Sequence, residues 1–266
     1  MTSELRYLYA VARANTAGSI AKASLRGIEG GPVEAIVEGA LLGVTSIVPA
    51  DDYEEQPLNE RLQDLEWLAP RAAAHQEVNA RLLDLAGAVI PLAFGAIYRG
   101  TDGVRDLLRT RANDFADRLR AVDGRAEWIV SIEREGSDAV TGEAVRALDA
   151  DIAAAAPGRA FLLRKRRDEV ARDERRMRDV AVAEEAWATI EAIAERVYRE
   201  PLIEDPTAAA VARFSVLADR DREVELGDVV RRLGATGTSA GYRVRLSGPW
   251  PAYRFGGLPS ERVASA

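Results

Sequence analysis

Three runs of apolar positions, each of strand length, lie in the first fifty residues. Leu5 to Ala12 is rich in aromatic and branched side chains and predicts an opening strand. Val33 to Glu38 and Leu41 to Val48 predict two more, joined at Gly39 and Ala40 in a tight hairpin. The intervening stretch, Ala14 to Gly31, is rich in glycine and small polar residues and predicts a loop with little regular structure. The pattern then changes to that of a helix. Asn59 is a suitable N-cap for a short helix carrying Leu62, Leu65 and Leu68, with Pro70 restarting a second helix. Its apolar line is Ala74, Val78, Leu82 and Leu85, closed by Gly87 in the left-handed conformation. Ala88 to Tyr98 reads as strand broken at Pro91. Thr101 is placed to cap a helix with Val104, Leu108, Phe115 and Leu119 on one face, ended by Asp123 and Gly124.

Beyond Gly124 the pattern starts afresh. Ala126, Trp128, Val130 and Ile132 alternate with Arg125, Glu127, Ser131 and Glu133, as in a half-buried strand. Helical patterning from Asp138 to Ala156 stops at Pro157 and Gly158 and resumes from Arg159 to about Arg199, predicting a helical hairpin with a longer arm of about 60 Å. Leu163, Val170 and Met177 recur every seven residues and predict a thin seam against Val145, Leu148 and Ile152 of the shorter arm. Strands around Phe214, Val216 and Ala218 and around Tyr242, Val244 and Leu246 flank a helix from Arg222 to Leu233. The expectation is an α+β protein of two domains, 1–123 and 124–247, followed by an aromatic and proline-rich tail, 248–266.

Composition narrows the function. The 266 residues carry 43 acidic and 36 basic side chains, a net charge of −7, which disfavours binding to a nucleic-acid backbone. There is no cysteine, so thiolate metal sites and disulfides are excluded. The opening residues lack a basic and then apolar segment, and the most apolar stretch, Gly39 to Ala50, is shorter than the roughly 20 residues of a membrane span. A cytoplasmic protein without membrane contact is expected. Neither lysine, Lys22 or Lys165, follows a glycine, which excludes a Walker loop. Gly234, Gly237 and Gly241 lie in a Thr/Ser-rich loop with no helix after it, and the acidic run Asp51, Asp52, Glu54 and Glu55 matches no calcium loop.

The single histidine, His75, lies at the margin of the stripe of Ala74 and Val78. It reads as a packing residue with one nitrogen pointing outward, replaceable by Gln for about 1 to 2 kcal/mol. No catalytic, cofactor-binding or metal-ligating residue is assigned. Residues 164–178 hold eight basic and four acidic side chains, whereas 179–200 hold six acids and two arginines. This order opposes the helix dipole in both halves. Two readings stand side by side: a solvated helix laced by pairs such as Arg164 with Asp168 and Glu174 with Arg178, or a partner-binding surface at Arg166, Arg167, Arg175 and Arg176. In the tail, the prolines favour an extended segment with Trp250 and Tyr253 on one face and Phe255 beside them. That segment either folds back on the protein or is offered to a partner.

Several blocks, read together and in order, resemble the gas vesicle GvpL/GvpF family. They are Leu5 to Val11, Val44 to Pro49, His75-Gln76-Glu77-Val78 followed by Ala88 to Gly95, Asp123 to Trp128, and Ser247 to Phe255. Ala252 stands where the family's tail has a second proline, and Ala93 where a larger residue is common. The resemblance implies a second domain of modified ferredoxin-like fold with a coiled-coil hairpin. It also implies a non-enzymatic accessory or minor structural component, associated with gas vesicles, that contacts the shell protein and other gas vesicle proteins. The competing expectation is a small-molecule or nucleotide-binding enzyme on the ferredoxin-like scaffold, for which the sequence offers no convergent polar set.

Overall fold

The computed structural model describes residues 4–135, 142–202, 209–236 and 240–257. In chain order the elements are β1 (Leu5–Arg13), α1 (Ala17–Lys22), β2 (Glu34–Glu38), β3 (Leu41–Val48), α2 (Ala50–Tyr53), α3 (Glu55–Arg61) and α4 (Leu65–Ala86). Then come β4 (Ile90–Pro91), β5 (Ile97–Arg99), α5 (Gly100–Thr110), α6 (Ala112–Ala121), β6 (Arg125–Arg134), α7 (Glu143–Ala154) and α8 (Pro157–Glu191). β7 (Arg196–Arg199), β8 (Ala210–Asp219), α9 (Glu223–Gly234) and β9 (Tyr242–Trp250) complete the series. The fold is mixed helix and sheet, and the chain divides into two compact units: residues 1–127 with 249–266, and residues 128–248.

In the first unit β1 is the central strand. It pairs antiparallel with β3 on one side and with the short β4 and β5 on the other, while β2 pairs with β3. Every residue from Leu5 to Ala12 is buried, because helices cover both faces of this strand. Tyr7 and Tyr9 face α4, and Leu8 lies beside Gly43 under Val104 and Leu108 of α5. Each such large side chain contributes roughly 1.5 to 3 kcal/mol of burial. The register with β3 slips between Leu8 and Ala10, a bulge at Tyr9 that re-aims the tyrosine pair.

Several expectations are corrected here. Ala14 to Gly31 is not all loop: a short 3₁₀ turn at Ala14–Thr16 and α1 occupy its first half, with Ile20 buried. Asn59 does not cap a helix but lies inside α3. The cap of α4 is Asp64, whose carboxylate accepts from the backbone of Glu66 and Trp67, and Pro70 sits within α4 without breaking it. Gly87, at φ 71°, closes α4 as the sequence implies. Thr101 makes no cap. The chain turns at Arg111, so Val104 and Leu108 belong to α5 and Phe115 and Leu119 to α6, all four buried.

The second unit builds a four-stranded sheet in the order β7-β8-β6-β9. Trp128, Val130, Ile132, Phe214, Val216, Leu226 and Tyr242 are its buried core, and the C-terminal part of α8 packs on β8 and α9. Here the sequence pattern missed a strand. Arg196–Arg199 is not the end of a helix but β7, paired antiparallel with β8, so α8 is 35 residues long and spans about 52 Å. The two hairpin helices α7 and α8 pack on one another; Val145 and Ala160 are buried, and Leu148, Ile152, Leu163 and Val170 are half-buried. Met177, expected in the seam, is 66% exposed, whereas Glu174 and Arg178 on either side of it are half-buried. The residues 138–141 predicted to begin the shorter arm, and Gly237, lie outside the described residues.

Candidate functional site

Three places gather chemistry. The first is buried in the first unit, where α4 lays His75 and Asn79, one turn apart, against the tyrosines of β1. The His75 ring is 4% exposed. Its Nε2 lies 3.0 Å from the Asn79 side-chain amide, and its Nδ1 lies 2.8 Å from the Tyr7 hydroxyl. The Tyr7 oxygen accepts from the Gly95 backbone at 3.2 Å. Both ring nitrogens are thus used inside the protein, and neither points outward as the sequence suggested. Burial lowers the His75 pKa to about 4 and raises those of Tyr7 and Tyr253, so at neutral pH the group is uncharged throughout.

Beside it, Tyr9 donates to or accepts from Ser46 at 2.8 Å and accepts from the Ile28 backbone. Tyr53 donates to Glu29 at 2.6 Å, and Arg71 clamps the same carboxylate while its guanidinium stacks 4.2 Å over Trp67. The residues that gather around His75 are tyrosine, asparagine and phenylalanine, with no nucleophile. The arrangement serves to fix the loop around Glu29 and the strand–helix contact.

The second place is the tail. β9 continues through Pro249 to Trp250, so the expected extended conformation holds that far. Proline is tolerated because β9 is an edge strand. Residues 251–257 then form a turn, with the Gly256 and Gly257 amides donating to the Ala252 carbonyl. The turn docks on its own unit. The Tyr253 hydroxyl lies 3.5 Å from His75 Nε2, the Arg254 amide donates to Glu127 at 2.8 Å, and Arg118 donates to the Gly257 carbonyl at 2.7 Å. Ala252 is buried, and Trp250, Tyr253 and Phe255 are half-buried.

The third place is the first half of α8. Arg167 is an arm-to-arm brace, 3.1 Å from Asp149 of α7 and 3.4 Å from Asp168. Arg164, Lys165, Arg166, Arg172, Arg175 and Arg176 are exposed and make no ion pair among the described residues. The expected Arg164 to Asp168 pair is absent, since Asp168 turns to Arg167. Of the seven residues singled out from sequence, Arg166, Arg175 and Arg176 share this helix with Arg167 in the second unit, whereas Trp250, Tyr253 and Phe255 belong to the first. Sequence reading missed Asn79, Tyr7 and Tyr53 as partners of the histidine network. The signals were present as the i, i+4 spacing of His75 and Asn79 and the period-two tyrosines of β1.

Elsewhere, an open depression at α3 is lined by Glu55, Gln56, Asn59, Glu60 and Gln63. Among the described residues no three metal-ligating side chains cluster, and no helix is long and apolar enough to cross a membrane.

Comparison with known proteins places this architecture. The profile of the family described as "Gas vesicle synthesis protein GvpL/GvpF" matches residues 5–256. Gas vesicle protein L of Streptomyces sp. (strain CB03234) is 33% identical over 98% of this chain and 96% of its own length. Gas vesicle protein L2 of Halobacterium salinarum is 28% identical over 95% and 91%. The crystal structure of GvpF from Anabaena sp. PCC7120 superposes with a TM-score of 0.68 at 14% identity, covering 99% of this chain and 100% of that one, which shows a shared fold. GvpF from Microcystis aeruginosa gives 0.64 at 15% identity over 97% and 100%. Matched along nearly its whole length by both sequence and fold, the chain belongs to the GvpL/GvpF family of gas vesicle proteins.

Proposed function

We propose that this chain is a non-enzymatic, cytoplasmic accessory or minor structural protein of gas vesicle assembly that acts by binding the shell protein and other gas vesicle proteins. The carrying observation is the exposed basic stretch of α8, where Arg164, Lys165, Arg166, Arg172, Arg175 and Arg176 make no ion pair among the described residues, in a chain whose net charge is negative. The polar groups best suited to chemistry point the same way, since His75, Tyr7 and Asn79 are buried and occupied with one another. Within this reading the second unit is ferredoxin-like. Its four strands run in the chain order strand, two helices, strand, strand, helix, strand and lie in the order second, third, first, fourth, and α7 with α8 forms a coiled-coil hairpin inserted after the first strand. The domain division at 123/124, with a tail from 248, belongs to the same reading.

The test is affinity capture of the tagged full chain from cells that express a complete set of gas vesicle proteins. The reading expects the shell protein or another gas vesicle protein to be enriched over a tag-only control. Capture of none of them from vesicle-producing cells would remove its basis.

A further inference from the structure

On α8, Phe161, Lys165, Arg172 and Arg176 follow one another at intervals of four, seven and four residues. In a helix of 3.6 residues per turn these intervals return to the same side. Arg164 and Arg175 flank this line; Asp168, already engaged by Arg167, borders it on one side, and Glu169, four residues from Lys165 and three from Arg172, on the other. The stripe therefore presents three unpaired cations over about 16 Å, with a 67% exposed phenylalanine at its hairpin-tip end.

We propose that this stripe docks an acidic helix of a partner protein, one that carries carboxylates and one apolar residue at the same four, seven and four spacing. This rests on the assembly reading above and names the chemistry of its partner. Charge complementarity selects an anion, and three features select a short helix over a long polyanion or an anionic membrane. From Asp179 to Glu191 the helix has acids and no basic residue, so a longer anion meets repulsion where the stripe ends. Glu169 and Asp173 border the stripe and confine it to one face. The cations are spaced by helical turns, which a facing helix matches row for row.

The test uses the full chain and a fluorescent alanine-based helical peptide of about 20 residues with glutamates and a terminal leucine at that spacing. A scrambled peptide of the same composition, phosphatidylserine vesicles and single-stranded DNA serve as the other arms. The proposal expects the patterned peptide to bind at least about tenfold more tightly than the scrambled one and to weaken with salt. The triple reversal Lys165→Glu, Arg172→Glu, Arg176→Glu should lose that binding with unchanged helicity, a peptide with lysines in place of its glutamates should regain it, and Lys22→Glu should bind as the parent does. Equal binding of the scrambled peptide, tighter binding of vesicles or DNA, or retained binding by the reversal overturns the proposal. Because the assay contains no gas vesicle protein other than this chain, its failure leaves the assembly reading to stand or fall on affinity capture.

Discussion

His75 is the residue at which burial has its clearest chemical consequence. A pKa lowered from 6.5 to about 4 means that the unfolded chain binds a proton between those values that the folded chain does not. Stability from this group is fully present above pH 6.5 and declines as pH falls toward 4, by up to about 3 kcal/mol. No carboxylate is bonded to the ring to offset this: its polar neighbours are Tyr7, Asn79 and Tyr253. The His75→Gln variant lacks the titration. With two ring contacts to lose, it should be destabilised at pH 7.5 by about 2 kcal/mol, the upper end of the sequence expectation. Urea unfolding from pH 7.5 to 4 should then show the gap between parent and variant narrowing, and a constant gap would contradict the buried neutral imidazole. Gly43 gives a second residue-level test. A Cβ there would meet Val104 Cγ1 at 2.8 Å and Leu8 Cδ1 at 3.1 Å, so Gly43→Ala should cost about 1 to 3 kcal/mol in the same assay.

Among elements, the tail and the hairpin answer to different forces. Tyr253 fits onto the His75–Asn79 pair, so Tyr253→Ala should lower stability by about 3 kcal/mol and Tyr253→Phe by about 1 kcal/mol. Normal thermal unfolding of the alanine variant would show that the tail is not docked through this ring. In the hairpin, Arg167→Glu sets a carboxylate against Asp149 and should speed amide exchange along α7, whereas Arg175→Glu should not. Equal exchange in both variants would remove Arg167 from its bracing role. These elements also mark the limits of sequence reading. Alternation exposed β6, runs of apolar and branched residues exposed β1 and β3 because both of their faces are buried, and helical spacing exposed α4, α8 and α9. β7 was hidden because Arg196–Arg199 is a polar edge strand with one half-buried valine. The start of α4 was misplaced because a competent N-cap, Asn59, precedes the one that is used, Asp64.

At the scale of the whole molecule, the two compact units divide within β6 and β9, between Glu127 and Trp128 and between Gly248 and Pro249. The change from helical spacing to alternation near Gly124 lies a few residues before the first division. The second is invisible to composition, because the return of residues 249–257 to the first unit depends on a docking contact made by Tyr253, Arg254 and Gly257. Likewise the charge run of α8 was legible, but not which cations are free. That distinction separates Arg167 from Arg172 and Arg176, and it follows from the arm-to-arm geometry. The most direct test of the central claim, that this chain acts in gas vesicle assembly by binding other proteins, is vesicle counting by electron microscopy. Cells carrying the complete gas vesicle gene set would be compared when they lack this chain, express it, or express the Lys165→Glu, Arg172→Glu, Arg176→Glu variant at equal abundance. The account predicts vesicles with the parent chain, few or none without it, and a clear reduction with the variant. Normal vesicle numbers in cells that lack the chain would contradict it.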